Sequence, residues 1–369
     1  MVAPNNDINK NIKVAVAMSG GVDSSVAAAL FCAQGYQVIG VTLKLQHTNK
    51  NTPDHSTITG CASDANTRAK SVAEQLRIKH YIVDGSSEFE QLVLRPSWNE
   101  YKKGRTPSPC LICNEHIKFS MLLKWANAMG ATKLATGHYV RIIKNIEDTF
   151  QLLRGRDSIK DQSYFLAGLN QYQLGSVLFP LGEFTKTEVR AMAHKLNLAT
   201  STTKESQDAC LVGSDVSFAE KLREFFAGEN IGGPIIDTNG IKLGEHTGIH
   251  KFTIGQRKGL GVASLTRRWV CAINPADAAV IITDDEAKLN GDYLRAHDVN
   301  WVSGYAPRDE LDCQVQIRYN HKPAPAIVTT NTDNSVEVRF KQKVRAITPG
   351  QAAVFYDGER TLGRGWISV

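Results

Sequence analysis

The reactive potential of this chain sits in three cysteines and one glycine-rich loop. Cys110 and Cys113 stand at C-x-x-C spacing in Gly104-Arg105-Thr106-Pro107-Ser108-Pro109-Cys110-Leu111-Ile112-Cys113-Asn114. Cys210 follows much later, in Ser206-Gln207-Asp208-Ala209-Cys210-Leu211. The two prolines make a stiff, extended lead-in, and the pair is expected just before a helix, whose N-terminus lowers a thiol pKa and makes the nucleophilic thiolate available. Four chemistries are open to such a set. A structural zinc site would take His116 as a further ligand, in C-x₂-C-x₂-H. The pair could be a redox dithiol. Cys110, Cys113 and Cys210 could hold an iron–sulfur cluster with one open iron position. Finally, one cysteine could be a nucleophile and another a persulfide carrier.

The second motif is Met18-Ser19-Gly20-Gly21-Val22-Asp23-Ser24-Ser25. Its glycines permit a tight turn and close approach of a ligand. Serine hydroxyls and the free N–H groups of a following helix form an anion cradle. Asp23 falls in the first helical turn, where a carboxylate suits the dipole and could hold Mg²⁺ beside a pyrophosphate. The motif is neither a Walker A loop, lacking Gly-Lys-Ser/Thr, nor the dinucleotide G-x-G-x-x-G.

These residues need a scaffold, and the hydrophobic pattern describes one. Strands are expected at 13–17, 38–43, 80–83 and 133–136. Between them, helices are expected from Val22 to a stop at Gly35, over 64–76, and over 117–129 to a stop at Gly130. The alternation implies a parallel sheet covered on both faces. The pattern changes after Gly213, where glycine becomes frequent and helix signals thin out. From about Thr283 short alternating strands dominate (312–319, 326–330, 335–340, 352–356, 361–368), as in a small antiparallel barrel. The reading is an α/β protein of three domains: a catalytic domain over 1–213, a small central module over 214–282 and a β-barrel over 283–369.

Composition bounds the answer. The chain has 369 residues, 42% hydrophobic and 22% charged, with a formal net charge of +6. At about 100–200 residues per domain, two or three domains are expected. No apolar run approaches the about 18 residues of a membrane helix, and residues 1–13 lack the marks of a leader peptide. A cytoplasmic protein with no membrane partner is the expectation. Seven cysteines in a chain of this size do not suggest a disulfide scaffold. Cys32 and Cys271 read as core, while Cys61 and Cys313 are undetermined. The stretch 242–268 gathers Lys242, Lys251, Arg257, Lys258, Arg267 and Arg268 against Glu245, a candidate phosphate-backbone contact. Residues 46–60 read as a polar loop.

The loop Ser19–Ser24 resembles the PP-loop of the ATP pyrophosphatases, which cleave ATP to AMP and pyrophosphate while adenylating a substrate oxygen. In the same order along the chain, that loop, Gly104–Asn114, Ala135-Thr136-Gly137-His138-Tyr139, Lys160-Asp161-Gln162-Ser163-Tyr164-Phe165, Cys210, Gly255-Gln256-Arg257-Lys258-Gly259-Leu260-Gly261 and Thr348-Pro349-Gly350-Gln351 resemble the blocks of the tRNA-specific 2-thiouridylases. The resemblance runs from about residue 12 to 369. It implies ATP-dependent adenylation of the C2 oxygen of a wobble uridine, followed by sulfur transfer. ATP would be bound by Ala17, Met18, Ser19, Gly20, Gly21, Val22, Asp23, Ser24, Leu43 and Gly137, with Mg²⁺.

The same resemblance makes Cys210 the persulfide carrier and Cys113 the nucleophile that completes release, leaving a Cys113–Cys210 disulfide. Ser108, Pro109 and Cys110 occupy the target-base position, where many members carry Asn-Pro-Asp. A thiol is no simple replacement for that carboxylate, and a cluster on Cys110, Cys113 and Cys210 stays open as the alternative. His138, Lys160, Asp161, Gln162, Arg318, Tyr319 and Gln351 would contact tRNA. A sulfur-carrier protein or cysteine desulfurase would supply sulfur. Two rival classes are a PP-loop synthetase of small metabolites, which would need neither CxxC nor RNA, and a non-catalytic, zinc-stabilised RNA-binding protein, which would not need the Ser19–Asp23 loop.

Overall fold

In the first strand, Lys13–Ala17, Val14, Ala15 and Val16 are all fully buried, as a strand covered on both faces requires. Ala15 joins a cluster with Phe119, Leu122 and Leu134, whereas Val14 and Val16 join Ala27, Phe31 and Val72, so successive side chains feed the two opposite layers. A computed structural model supplies these coordinates and describes residues 9–45, 47–48, 57–58, 63–203 and 216–368. The N-terminal sheet has five parallel strands in the spatial order Lys79–Asp84, Gln37–Lys44, Lys13–Ala17, Lys133–Ala135, Val177–Leu178. The order reverses between the first and fourth strands. Outside the carboxyl ends of those two lies the crevice where ligands of open α/β sheets bind.

The helix Val22–Ala33 follows the first strand and ends at Gly35, whose φ of 82° and N–H bond to the Cys32 carbonyl (3.1 Å) form a left-handed cap. The expected helix at 117–129 begins earlier than its apolar pattern suggests. A continuous helical segment runs from Pro109 to Ala128, with a widened π-helical stretch over Cys113–Met121. Pro109 starts it because a proline is pre-set for the first turn and has no N–H to lose there. Cys110 and Cys113 are therefore inside the first turns of the helix rather than before it.

The central module carries a four-stranded sheet ordered Lys242–His246, Gly233–Asp237, Ala279–Thr283, Trp269–Asn274, around Ile235, Phe252, Val270 and Val280. Ahead of it, the helix Phe218–Phe225 lays Leu222 and Phe225 against Val93, Leu94 and Trp98 of the N-terminal part of the chain. The C-terminal barrel is closed by six antiparallel strands: Asn290–Trp301, Val336–Arg345, Ala324–Thr330, Leu311–Gln316, Ala352–Asp357, Arg360–Ile367 and back to Asn290–Trp301. The twelve-residue strand that closes it escapes the sequence pattern. It breaks alternation at a bulge after His297, where it shifts register against the last strand, and Asp298 takes φ 51°. A second unexpected feature is the hairpin Val140–Lys144/Phe150–Arg154. It belongs to the N-terminal part of the chain yet pairs with the last barrel strand through Arg360↔Leu153 and Thr361↔Leu152.

Candidate active site

The glycine-rich loop leaves the first strand at the switch point and is held rigidly. Ala17 ends the strand. Met18 is buried, its N–H bonded to the Val41 carbonyl (2.8 Å) and its carbonyl accepting from the Thr42 hydroxyl (2.7 Å). The Ser24 hydroxyl lies 3.1 Å from the Ser19 N–H and 3.2 Å from the Ser19 hydroxyl, closing the loop on itself. Gly20 has φ 70°, and a Cβ there would stand 2.1 Å from the Ala65 carbonyl oxygen, so only glycine fits. Gly21 caps the helix with extended backbone and no side-chain bond, leaving Val22 and the first-turn amides to a ligand.

Across the crevice, Gly137 follows the fourth strand and abuts this loop. A Cβ on it would lie 2.8 Å from both the Asp23 carbonyl carbon and the Ser24 nitrogen. The Asp23 carboxylate is already engaged. The Lys186 ammonium is 2.7 Å from each of its carboxylate oxygens, and the Tyr139 hydroxyl donates to Oδ1 at 2.8 Å. Lys186 and Tyr139 were not singled out by sequence. Their signal was weak: Lys186 opens a helix after Thr185, and Tyr139 only closes the Ala135–Tyr139 block. His138 bonds Thr136 through Nδ1 (2.7 Å) and packs against Phe119 and Phe179. Burial first, and the Lys118 charge second, hold its pKa well below the ordinary imidazole value, so at neutral pH it is an uncharged ring. Leu43, near the end of the second strand, is half-buried between two apolar clusters.

The cysteine segment reaches the same edge of the sheet. Cys113 is buried in a cluster with Leu45, which directly follows the second strand, and with Trp98, Ile117, Leu222 and Phe225. Cys110 is half-buried, and Ser108 is buried at the helix start, its carbonyl accepting from Leu111 (3.2 Å). Cys210 and Cys61, with residues 204–215 and most of the 46–60 loop, lie outside the described residues. Among the described residues no three His, Cys, Asp or Glu side chains gather as a metal site, so Cys110, Cys113 and His116 do not make one. For Mg²⁺ the Ser19–Ser24 loop offers the carboxylate of Asp23. That suits an ion that takes one or two carboxylates and otherwise binds nucleotide phosphates and water.

The remaining sequence-derived positions divide in two. Arg318 and Tyr319 follow the barrel strand Leu311–Gln316. Arg318 donates to the Arg345 and Ala346 carbonyls and lines a cavity of about 260 Å³ with Thr106, Thr253, Arg345, Thr348 and Gln351, where all three domains meet. Burial and the Arg345 charge lower the Arg318 pKa, a guanidinium environment that favours an anion. Tyr319 stacks on Phe165 with ring centroids 4.4 Å apart.

Asp161, Gln162 and Gln351, by contrast, direct polar groups into the protein. Asp161 pairs with Arg154 (2.7 Å) and accepts from Gly155 and Ser163. Gln162 accepts from the Tyr139 N–H (3.0 Å). The Gln351 amide donates to the carbonyls of Thr106 and Pro107, both at 3.0 Å. Lys160 closes the turn that begins at Asp157, with its N–H on the Asp157 carbonyl. The basic loop at 257–268 surrounds a second hollow of about 430 Å³ lined by Arg257, Arg267 and Arg268.

Three family models match the chain. Residues 12–214 match the tRNA methyl transferase HUP domain, 223–284 the tRNA methyl transferase PRC-barrel domain, and 291–367 the aminomethyltransferase beta-barrel domain. Among whole proteins, the chain is 45% identical over 368 residues to the tRNA-specific 2-thiouridylase MnmA of Solibacter usitatus (strain Ellin6076), covering 96% of this chain and 98% of that one. It is 42% identical over 361 residues to the protein of the same name from Geotalea uraniireducens (strain Rf4), covering 97% and 96%. A third, from Rickettsia canadensis (strain McKiel), is 42% identical over 366 residues, covering 98% and 97%.

Proposed function

The chain belongs to the tRNA-specific 2-thiouridylase family, and from that premise we propose how its residues perform ATP-dependent 2-thiolation of tRNA uridine. The enzyme is a tRNA-uridine 2-sulfurtransferase. The family-model descriptions speak of methyl transfer, but a methyl donor calls for neither a pyrophosphate cradle nor a cysteine pair. The observation that carries the sulfur reading is their shared edge: the closed Ser19–Ser24 loop stands at the sheet's switch point, and Cys113 is buried beside Leu45 at the end of the neighbouring strand.

The chemistry follows from the poor leaving ability of a carbonyl oxygen. The C2 oxygen of the wobble uridine attacks the α-phosphorus of ATP. The bond from that phosphorus to the β-phosphate bridge breaks, and pyrophosphate leaves into the loop's amides and hydroxyls. Mg²⁺, when bound on Asp23 with the nucleotide, neutralises phosphate charge. The terminal sulfur of a Cys210 persulfide then attacks C2 and AMP departs. The Cys113 thiolate attacks the Cys210 sulfur, breaking its bond to the transferred sulfur. Thiouridine is released, a Cys113–Cys210 disulfide forms, and an external dithiol reduces it. A sulfur-carrier or desulfurase protein recharges Cys210.

Docking of tRNA rests on the positive groups at the domain junction. Arg318 pairs with phosphate, Tyr319 offers a ring face, and Lys160 and neutral His138 add further contacts. Asp161, Gln162 and Gln351 support this surface from beneath. Ser108, Pro109 and Cys110 face the target base.

Nucleoside mass spectrometry tests the reading. tRNA incubated with the protein, ATP, Mg²⁺ and a persulfide donor should yield 2-thiouridine, aerobically and with chelator present. Cys113→Ser and Cys210→Ser should each abolish it. Product formed by either variant would remove that cysteine from the mechanism, and product that requires iron reconstitution would replace the relay by a cluster.

A further inference from the structure

We propose that Lys186 is a catalytic residue of the adenylation step, exchanging its partner Asp23 for the pyrophosphate leaving group when nucleotide and Mg²⁺ bind. The inference rests on the ATP-dependent reading above. An ion pair borders the cradle. The Lys186 ammonium is equidistant, at 2.7 Å, from both carboxylate oxygens of Asp23, and Tyr139 holds Oδ1 from the other side. The only carboxylate of the Ser19–Ser24 loop is thus fully engaged. A cation that is to use Asp23 must displace the ammonium, and the same ligand brings an anion that can take it.

The local structure favours that exchange. Lys186 is the first residue of the helix Lys186–Lys195, where the helix dipole repels a cation. Its backbone is fixed regardless of the ion pair. Thr185 and Glu188 form a reciprocal capping box, and the Lys186 N–H bonds the Asp157 carboxylate at 2.9 Å. Movement is therefore confined to the flexible four-carbon stem, which carries a compact point charge suited to phosphate. The side chain is 12% exposed and that of Asp23 30%, so the pair borders the crevice without being sealed in it.

A purely structural role explains the pair less well. The two helices it joins already pack through Val22, Val26 and Ala29 against Val189 and Ala193, with no need of a charge clamp. In the adenylation step Lys186 keeps its proton. The bond between the α-phosphorus and the bridging oxygen breaks, the electron pair stays on the departing pyrophosphate, and the ammonium meets that developing charge.

Calorimetric titration of the full-length protein with inorganic pyrophosphate and Mg²⁺, together with the rate of pyrophosphate release from ATP in the presence of tRNA, tests this. Lys186→Met should weaken pyrophosphate binding about tenfold or more and slow release about 100-fold. Its melting temperature without ligand should stay near that of the parent protein, and Lys186→Arg should retain an intermediate rate. Should Lys186→Met fold poorly, Lys186→Gln provides the same readings with a hydrogen-bonding side chain. Pyrophosphate affinity and release rate within threefold of the parent would overturn the role, as would losses that only track a lower melting temperature. A parent protein that neither binds pyrophosphate nor releases it would instead overturn the ATP-dependent reading, and this role with it.

Discussion

At the residue scale, the surroundings sort reactive groups from inert ones. Cys313 points into the barrel core, and burial, then Asp312 and Asp357, push its thiol up to about 12. Burial also raises Cys32 and Cys271. All three therefore carry less thiolate than an ordinary cysteine, which disfavours them as sulfur nucleophiles. Glu220 is shifted the other way. Burial alone would raise its pKa, but hydrogen bonds from His250 and Arg223, with the Lys251 charge, bring it down to about 2. A depressed folded-state pKa stabilises the protein fully above the ordinary glutamate value, and the contribution fades as pH falls toward 2. Urea midpoints should therefore show Glu220→Gln less stable than the parent at pH 7, with the gap narrowing steadily from pH 5 to pH 3. A gap that stays constant over that range would show that the carboxylate's charge contributes nothing. The partner of Asp23 was not legible in the sequence, because Lys186 is 163 residues away and only the folded sheet brings them together. The loop itself was legible, since its glycines and serines are contiguous and their local geometry carries the meaning.

At the element scale, the turn Thr348–Gln351 links the barrel to the segment that enters the cysteine-bearing helix. The Thr106 N–H bonds the Pro349 carbonyl (2.9 Å), and the Gln351 amide covers the carbonyls of Thr106 and Pro107. Gly350 has φ 90°, and a Cβ there would stand 2.8 Å from the Thr106 oxygen, so the approach needs glycine. The sequence suggests that Gln351 touches RNA, while its bonds to Thr106 and Pro107 suit a positioning residue for Ser108–Cys110. The two roles separate in kinetics. Gln351→Ala should lower the thiolation rate at saturating tRNA about tenfold, since small misplacements near reacting atoms are costly. Its tRNA dissociation constant should change less than about threefold, well below the tenfold that 1.4 kcal/mol corresponds to. A weakened affinity with an unchanged saturated rate would return Gln351 to the RNA surface. Strands were legible wherever alternation or a continuous apolar run is clean, as in Ala352–Asp357. The strand Asn290–Trp301 was missed because its bulge disrupts the period on which such reading depends.

At the scale of the whole molecule, the N-terminal part of the chain and the barrel share structure rather than merely touch. The hairpin Val140–Arg154 extends the barrel's sheet, and Arg364 of the last barrel strand reaches back into the cysteine-bearing helix. Its guanidinium is 2.8 Å from both oxygens of Glu115, two residues beyond Cys113, and also donates to the Asp298 carbonyl. The Arg364 side chain is 3% exposed and that of Glu115 17%, so this is a buried pair holding the cysteine-bearing turn against the barrel. Such a pair is worth little relative to good apolar packing, but breaking one half leaves an uncompensated charge. Arg364→Met should thus cost about 3–5 kcal/mol in urea unfolding. The double variant Glu115→Met/Arg364→Met should recover most of that loss, because neither charge is then stranded. Equal losses in the single and double variants would mean that the two side chains act independently. Recovery of stability without recovery of thiolation would place the pair's value in aiming Cys113, the outcome expected if the barrel both grips RNA and orients the helix that acts on it.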